Sequence, residues 1–454
     1  MLIRETINNA KNRIQKSSFL KSVITLASGT VIGQGINTIG MPVISRLYSP
    51  AAMGDYALVT ANANVIGAAA CLGMMTAVML PQDDEEAGLL VRMISVSAVT
   101  ITTAAVIILK CIEQHWMFFH PEKASYTSGL AILWAYVISN TISSACYGYA
   151  NRKRLYQVMF WNPVISGAAN IVLGILFGVM TMECEGYALA HIISSLINIL
   201  HLAVYAKPYR KTGRKHAGFW KLLKEYRRFP LYQMPANLIS NLSNQLPLQM
   251  MEMVYSSYTT GMYSMALRVL SIPTAFLAVP VNRVYYQEAN QRYQEGKSIG
   301  DFSFQIIKTN IKAAMLPIGV IILLGRPLFA FFLGSQWEEA GSFASVMGIY
   351  QLMLFCSNCL SGNFVIIGKN SWNLISSIAI VAIEIFLGFI LLLKPDMPLQ
   401  IFLMILCMAL TLHLIVVLGV FLVTAGVRML EYIRFVLLYI GCPCLVMCIL
   451  NYKR

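Results

Sequence analysis

Long apolar runs, each of about 20 residues with few charges, recur along the whole chain. Such a run is typical of a transmembrane helix, because about 20 helical residues cross the hydrocarbon core of a bilayer. The pattern therefore predicts an all-α integral membrane protein with about 12 to 13 transmembrane helices. The predicted spans are 22–45, 56–80, 89–112, 129–150, 157–180, 187–206, 231–254, 263–285, 309–333, 342–367, 373–393, 400–425 and 432–450.

An internal repeat relates the two halves of the chain. Residues 30–56 match residues 237–263 at a constant offset, so that AAMGDYAL corresponds to YTTGMYSM and Gly54 aligns with Gly261. Repeats of this kind are common in transporters, where they form two similar bundles around a central site. We expect two pseudo-symmetric six-helix bundles related by an axis along the membrane normal. The predicted segments are a cytoplasmic interfacial helix at 1–21, bundles at 22–206 and 230–425 joined by a basic linker at 207–229, and an extra C-terminal helix at 426–454.

Each half opens with a helix that carries one stripe of polar residues. At 100° per residue, the positions of each stripe fall within about 80° to 100° of one another. A polar stripe in lipid must face protein or water, since unpaired amides and carboxylates in hydrocarbon are costly. The stripes therefore indicate a shared polar cavity, and the alternative is hydrogen bonding between helices. The stripes consist of Thr30, Gln34, Asn37 and Ser45, and of Asn237, Asn241, Asn244, Gln245 and Glu252.

Composition and charge support a membrane protein and give its orientation. The chain is 57% hydrophobic and only 12% charged, whereas a soluble protein has about a quarter of its residues charged. Most of its Lys and Arg residues fall on the side of the N-terminus, which predicts a cytoplasmic N-terminus by the positive-inside rule. The net charge of +14 is thereby explained without nucleic acid. The basic cluster from Lys207 to Arg228 is a signal for orientation or, alternatively, a contact with anionic lipid headgroups.

Motifs for catalysis, cofactors and metals are not found in the sequence. There is no GxxxxGK[ST] phosphate loop, no HExxH and no GxSxG, so we expect neither ATP hydrolysis nor a conventional hydrolase. Nearly all of the 10 cysteines fall in predicted spans, where a thiol acts as a small apolar side chain. We therefore expect a protein that is not an enzyme and has no cofactor or metal.

Five stretches of the sequence together resemble the polysaccharide biosynthesis protein family. They are LASGTVIGQGINTIGMPVISRLYSPAAMGDYALV, LPQDDEEA, RRFPLYQMPANLISNLSNQLPLQMM, GMYSMALRVLSIPTAFLAVPVNRVYYQEANQRYQEG and FFLGSQWEEAGSFASVM. The resemblance is to Wzx-type flippases of the multidrug/oligosaccharidyl-lipid/polysaccharide exporter superfamily. The chain departs from the family at GMMTAVMLP, where Gly73 and Met75 stand in place of a frequent ion pair.

The resemblance implies a V-shaped exporter in the bacterial inner membrane. It would carry undecaprenyl-diphosphate-linked oligosaccharide units of O-antigen, capsule or exopolysaccharide from the cytoplasmic to the outer leaflet by alternating access. Its other partners would be a proton or sodium ion, membrane lipid, a glycan polymerase and a chain-length regulator. The alternatives are a multidrug or small-molecule cation antiporter of the same superfamily and, more distantly, a membrane glycan polymerase.

Four charged positions within or near predicted spans are candidates for substrate binding and ion coupling. Arg268 is a candidate cation for the diphosphate or, alternatively, a residue of the outer interface paired with Glu252 or Asp55. Arg283 would meet the diphosphate on loading, although its cytoplasmic position explains it equally well. Glu252 and Glu384 are candidates for ion coupling, and the alternative for each is a structural contact.

The hairpin ISRLYSPAAMGDY carries two charges that its repeat, VYSSYTTGMY, lacks. Arg46 precedes the turn and Asp55 follows it, and both lie on the predicted outer side. We expect them to form an ion pair that opens and closes as an outer gate. The alternative is a static ion pair.

Overall fold

The structure is a computed structural model, and it describes residues 28–81, 83–117, 127–208, 219–360, 362–369 and 371–441. Within these ranges the chain forms helices and turns and no strand. The predicted all-α class is thereby confirmed. The predicted helix at 1–21, the middle of the linker at 209–218 and the end of the chain beyond residue 441 lie outside the described residues.

The chain folds into two compact units. The first contains the described residues up to Leu47 and then Val59–Asn241, and the second contains Tyr48–Leu58 and the described residues from Leu242 onward. The repeat does not predict the exchange of the short segment Tyr48–Leu58. The helices of the first unit are α1 (28–47), the greater part of α2 (Pro50–Ala70), α3 (Asp84–Met117), α4 (Thr127–Arg152), α5 (Tyr156–Val179), α6 (Cys184–Ala206), α7 (Phe219–Glu225) and the start of α8 (Met234–Val254).

The second unit contains the first turns of α2, the rest of α8 and all later helices. A π-helical turn at Thr274–Ala278 connects two of these helices. The core of the unit consists of buried apolar residues such as Tyr285, Ile311 and Phe421. The helices are α9 (Ser257–Leu270), α10 (Val279–Gln294), α11 (Gly300–Leu333), α12 (Glu338–Cys359), α13 (Asn363–Ile366), α14 (Ser371–Leu393), α15 (Leu399–Thr424) and α16 (Met429–Val436).

Eight helices in the described part of the chain are long and apolar enough to cross a membrane. They include α3 to α6 of the first unit and α11, α12, α14 and α15 of the second. The helices α2 and α8 have 21 residues each and carry polar positions, and α9 has 14 residues. Polar residues lower the mean hydropathy of a span, so these helices differ from the eight in composition or length. The predicted number of about 12 to 13 spans stays a prediction.

Glycines on α1 allow this helix to approach α5 closely. A Cβ atom at Gly29 would lie 2.6 Å from the Cα atom of Phe160, and one at Gly33 would lie 2.7 Å from the carbonyl carbon of Pro163. Small residues at such contacts are typical of membrane helices, where close backbone approach takes the place of a hydrophobic driving force. The glycine face of α1 is therefore used for packing, whereas Gln34 of the polar stripe is exposed.

The two repeat-related glycines, Gly54 and Gly261, lie at a crossing between the first turns of α2 and the start of α9. A Cβ atom at Gly54 would overlap the carbonyl oxygen of Ser257, and one at Gly261 would overlap the carbonyl oxygen of Pro50. Each added Cβ would also lie about 3 Å from the backbone nitrogen of the other glycine, at 2.9 and 3.1 Å. This reciprocal contact explains why the repeat keeps glycine at both positions.

Polar contacts join α3 to α4 and to the segment that follows α7 in the first unit. The Nε atom of Arg152 at the end of α4 lies 3.1 Å from Oδ1 of Asp84 at the start of α3. The hydroxyl of Tyr226, which follows α7, donates to Oε1 of Glu86 over 2.9 Å. Burial, together with this hydrogen bond, raises the pKa of Tyr226 to about 12. The C-terminal part of the linker is thus attached to α3.

We predict that Gly54→Ala lowers the thermal stability of the purified protein. Alanine is favoured over glycine in a helix by about 1 kcal/mol, but here its Cβ would meet backbone, and overpacking of this kind costs about 1–3 kcal/mol. The measurement is the unfolding temperature in detergent. Gly35→Ala is the matched control, because a Cβ atom at Gly35 meets nothing within 4 Å. An unchanged unfolding temperature for Gly54→Ala would contradict the close crossing.

Candidate functional site

The polar stripe of α1 is only partly exposed, since Ser45 is fully buried. Gln34 is exposed, and Asn37 is half-buried. The Nδ2 atom of Asn37 donates to the carbonyl oxygen of Gly33 over 3.0 Å, and its Oδ1 atom accepts from Nδ2 of Asn170 over 3.4 Å. Asn37, in the middle of the stripe, is therefore bonded to α5, whereas Gln34 is exposed.

The first residues of the polar stripe of α8, Asn237 and Asn241, belong to the first unit. The amide of Asn237 accepts a hydrogen bond from Nε2 of Gln233 over 2.9 Å, and Nδ2 of Asn241 donates to the carbonyl oxygen of Asn237 over 2.8 Å. Both asparagines are half-buried, whereas Asn244 is exposed. Two of the three asparagines predicted for the cavity thus lie on adjacent turns of one helix surface.

A cavity of about 200 Å³ opens beside Asn237 and Asn241. Three helices line it, namely α2, α4 and α8, and every lining residue belongs to the first unit. The side chains are small, apolar or neutral and polar, and none carries a charge. The lining residues are Ala63, Asn64, Gly67, Ala68, Cys71, Met75, Val137, Asn140, Thr141, Ser144, Asn237 and Asn241.

The chain leaves the α-helix where it forms one wall of this cavity. The helix α2 ends at Ala70 and is followed by turns through residue 76, in which Leu72 and Gly73 have φ angles of 51° and 66°. A Cβ atom at Gly73 would lie 2.8 Å from the backbone nitrogen of Met234. Irregular backbone at membrane depth is tolerated where it is packed in protein or lines a polar cavity. Gly73 therefore allows the close approach of this segment to the start of α8.

The carboxylate of Glu252 lies near the turn between α8 and α9. Its Oε1 atom accepts from the hydroxyl of Ser257 over 2.9 Å, and its Oε2 atom accepts from the hydroxyl of Thr260 over 2.9 Å. A carboxylate near the first turn of a helix also interacts favourably with the helix dipole. Both oxygens of Glu252 thus stabilise the start of α9, and a role in ion coupling stays a prediction.

Glu384 lies in the interior of the second unit. Its side chain is 2% exposed, and its Oε2 atom accepts from the hydroxyl of Ser243 over 2.9 Å. The bond joins α14 to α8, on which the stripe of asparagines also lies. A buried carboxylate in an apolar helix is costly when charged, so a proton or a cation at this position would lower the cost.

Arg268 lies in the last turn of α9 and is half-buried. Its guanidinium carbon lies 5.2 Å from the centroid of the Tyr56 ring, in a cation–π contact. Tyr56 belongs to the exchanged segment of α2, so the contact is made within the second unit. Among the described residues, no ion pair joins Arg268 to Glu252 or Asp55.

Arg46, Asp55 and Arg283 are the other charged residues predicted for the site. Arg46 is exposed in the last turn of α1, and Asp55 is exposed near the start of α2. Arg283 belongs to α10, and its side chain lies outside what the structure describes. The outer-gate pair and the loading role of Arg283 stay predictions.

Several polar residues bond to neighbouring helices. Nδ2 of Asn162 donates to Oδ1 of Asn198 over 3.1 Å between α5 and α6. The ring of His191 stacks on the ring of Tyr136, with centroids 4.6 Å apart. Such contacts hold membrane helices together, and they show that a polar residue in a span is by itself weak evidence for a substrate site.

The sequence matches a known protein family over most of the chain. A family model described as "Polysaccharide biosynthesis protein" matches residues 43–342. The chain belongs to the polysaccharide biosynthesis protein family. This confirms the predicted family, and no curated protein matches the chain by sequence.

Solved structures with a similar fold are transporters. An inward-facing multidrug resistance MATE family transporter of the MOP superfamily has a TM-score of 0.58 and 13% identity, with 91% of this chain and 99% of that chain covered. An outward-facing one has a TM-score of 0.56 and 14% identity, with coverages of 91% and 96%. A MOP superfamily transporter from Pyrococcus furiosus has a TM-score of 0.55 and 14% identity, with coverages of 89% and 96%. This family member therefore has the MATE/MOP transporter fold.

Two features of the cavity in this family member are not among the residues predicted from the sequence. Asn64 is the first, although an amide in the apolar run ANANVIGAAA is an available signal. The second is the turn at 71–76, which falls inside the span predicted at 56–80. In the sequence, Gly73 is notable only because it departs from the family pattern. A glycine at this position allows the positive φ angle that the turn requires.

We predict that Glu252→Ala lowers the unfolding temperature, because it leaves Ser257 and Thr260 without their acceptor. Hydrogen bonds to a charged group contribute about 1.5–3 kcal/mol, and Glu252→Gln, which keeps an amide oxygen as an acceptor, should lose less. The measurement is thermal unfolding of the purified protein in detergent. Met253→Ala is the control, since Met253 is the next residue and is 69% exposed. Equal unfolding temperatures for Glu252→Ala and the wild type would contradict the stabilisation of the start of α9 by Glu252.

Proposed function

We propose that this protein is a flippase for undecaprenyl-diphosphate-linked oligosaccharides. It carries the repeat units of O-antigen, capsule or exopolysaccharide from the cytoplasmic to the outer leaflet of the bacterial inner membrane. Two six-helix bundles, at 22–206 and 230–425, would alternate in access to the two sides, driven by a proton or sodium gradient. Membership of the polysaccharide biosynthesis family and a transporter fold support this proposal.

The proposal rests on one observation, namely which polar groups are accessible among the apolar helices. Amides and hydroxyls line the cavity of the first unit and the open face of α1. Glu252 and Glu384, the two carboxylates predicted for ion coupling, are each bonded to hydroxyls of the protein. Amides have both donors and acceptors, which suit the hydroxyls of sugars, whereas an organic cation requires an acidic or aromatic site. This arrangement favours a glycan over a drug cation.

A multidrug or small-molecule cation antiporter is the second candidate function. The observation in its favour is the MATE fold of the structural neighbours, which are multidrug transporters. At 13% to 14% identity this likeness concerns the fold alone. A glycan polymerase is less compatible, because the family and the neighbours point to transport and not to an enzyme.

The proposed partners follow from the route of the substrate. A glycan polymerase would receive the flipped unit on the outer side, and a chain-length regulator would act with that polymerase. The N-terminus and the basic linker at 207–229 would lie on the cytoplasmic side, next to membrane lipid. Arg46 and Asp55 would form the outer gate, and Arg283 would meet the diphosphate during loading.

We assign the diphosphate to Arg268. Its guanidinium stays protonated and matches phosphate oxygens in pairs, and the Tyr56 ring holds it in place. We predict that Arg268→Ala abolishes display of the surface glycan in cells that depend on this protein, while Arg268→Lys retains part of it. The measurement is surface glycan at matched membrane levels of each variant.

Arg326→Ala is the control for the loss of an arginine from an apolar helix. Arg326 lies in α11, is exposed and donates from its Nε atom to the hydroxyl of Ser342 over 2.7 Å. We expect this variant to display normal glycan. Normal display in Arg268→Ala would refute the assignment of the diphosphate to Arg268.

We propose Glu384 as the site of ion coupling, because it is a buried carboxylate that one hydroxyl only partly satisfies. Glu384→Gln should retain the fold and the hydrogen bond from Ser243. Its neutral amide cannot take up and release a proton or pair with a sodium ion. We predict that this variant loses the stimulation of transport by an imposed proton or sodium gradient in proteoliposomes, with exchange at equilibrium less affected. Gradient stimulation equal to that of the wild type would transfer the role to Glu252 or to another group.

A further inference from the structure

We infer that the cavity between α2, α4 and α8 is a binding site for one neutral sugar ring of the glycan. The inference rests on the proposed function, since it names the part of the substrate that this cavity would recognise. The cavity lies wholly within the first unit, and Arg268 belongs to the second. Recognition of the sugar is thus assigned to residues other than the one that we propose for the diphosphate.

Two amides of the cavity have unused hydrogen-bonding groups. Asn64 on α2 and Asn140 on α4 are exposed, and neither side chain forms a hydrogen bond within the described part of the chain. An amide has two N–H donors and an acceptor oxygen. At membrane depth these groups need water or a ligand. Sugar hydroxyls, which both donate and accept, can satisfy all of them.

The third wall adds acceptors and donors that are already oriented. Asn237 uses its Oδ1 atom to accept from Gln233, so its two N–H donors remain available. Asn241 uses Nδ2 to donate to the backbone of Asn237, so its oxygen remains available as an acceptor. These bonds fix both amides before a ligand arrives. A site with its polar groups held in place loses less side-chain entropy on binding.

The size of the cavity suits a single sugar ring. Its volume is about 200 Å³, which is below the range of about 300–1,000 Å³ for sites that hold a drug-sized molecule. Gly67 and the alanines beside it keep the cavity open, and a Cβ atom at Gly67 would come no closer than 3.6 Å to Thr141. The rest of the glycan would lie outside this cavity.

The absence of charge from the lining selects the class of sugar. No Asp, Glu, Lys or Arg is among the described residues that form the cavity. A carboxylate of an acidic sugar would lose water there without gaining a cation, which is unfavourable. A hexose or an N-acetylhexosamine would exchange its water for amide hydrogen bonds. The cavity therefore favours a neutral ring.

The turns at 71–76 form one wall of the cavity. Cys71 and Met75 from this segment line the cavity, and the segment includes a non-glycine residue, Leu72, with a positive φ angle. The backbone of this segment is paired within its own turns, for example from the N–H of Met74 to the carbonyl oxygen of Cys71 over 2.9 Å. The segment thus gives the cavity a wall of fixed shape beside the amides.

The test compares three lipids bound to the purified full-length protein in nanodiscs. They are undecaprenyl diphosphate alone, the same lipid with a disaccharide of two neutral sugars, and the same lipid with a disaccharide of two uronic acids. We expect the wild type to bind the neutral glycolipid about tenfold more tightly than the bare lipid, since two or more added hydrogen bonds are worth about that factor. We expect the acidic glycolipid to bind no better than the bare lipid.

The double variant Asn64→Ala with Asn140→Ala should lose the preference for the neutral glycolipid and bind the bare lipid as the wild type does. Asn373→Ala is the matched control, because Asn373 is an exposed amide of an apolar helix, α14, outside the cavity. If the double variant does not fold, Ser144→Ala serves instead, with an expected loss of about threefold.

Each other outcome overturns a defined claim. The sugar site is overturned, and the proposed function left intact, if the double variant keeps the full preference for the neutral glycolipid. The same holds if the double variant loses affinity for the neutral glycolipid and for the bare lipid equally, with an unchanged unfolding temperature. Equal binding of the acidic and neutral glycolipids by the wild type overturns the selection of a neutral ring. A wild type that binds none of the three lipids overturns the proposed function, and the sugar site with it.

Discussion

A polar group within a bilayer must find a protein partner or water, and the structure of this protein depends on that constraint. The pair Asn162–Asn198 satisfies it by a hydrogen bond between helices. Asn64 and Asn140 do not, since their amides open into a cavity. The turns at 71–76, which lie beside this cavity, also meet the constraint, because backbone N–H groups such as those of Met74 and Ala77 are paired with carbonyl oxygens of the same segment.

Close backbone packing makes the polar surfaces available. Gly29 and Gly33 place one face of α1 against α5, which leaves Gln34 on the open side. Gly54 and Gly261 allow the first turns of α2 to cross the start of α9, where Tyr56 then supports Arg268. In this way residues without functional groups determine where the functional groups lie. A substitution at these glycines would therefore affect the candidate site from a distance.

The class of fold, the family and the polar stripes can all be predicted from the sequence. Helical periodicity shows which residues share a face, so it places Asn237 and Asn241 together. Periodicity does not show which hydroxyl a carboxylate will meet. The bonds of Glu252 to Ser257 and Thr260 depend on the turn between α8 and α9, and the contribution of Asn64 depends on how α2, α4 and α8 pack. These contacts arise from tertiary structure, which residue spacing does not specify.

The chemistry of the open groups is the basis for the proposed substrate class, and transport by the purified protein tests it most directly. The measurement is the rate at which a fluorescent undecaprenyl-diphosphate oligosaccharide crosses between leaflets of proteoliposomes, with a fluorescent organic cation in a parallel assay. We expect the glycolipid to cross well above the rate in empty liposomes and faster with an imposed ion gradient, and we expect no accelerated movement of the cation. Accelerated movement of the cation, with the glycolipid at the background rate, would contradict it.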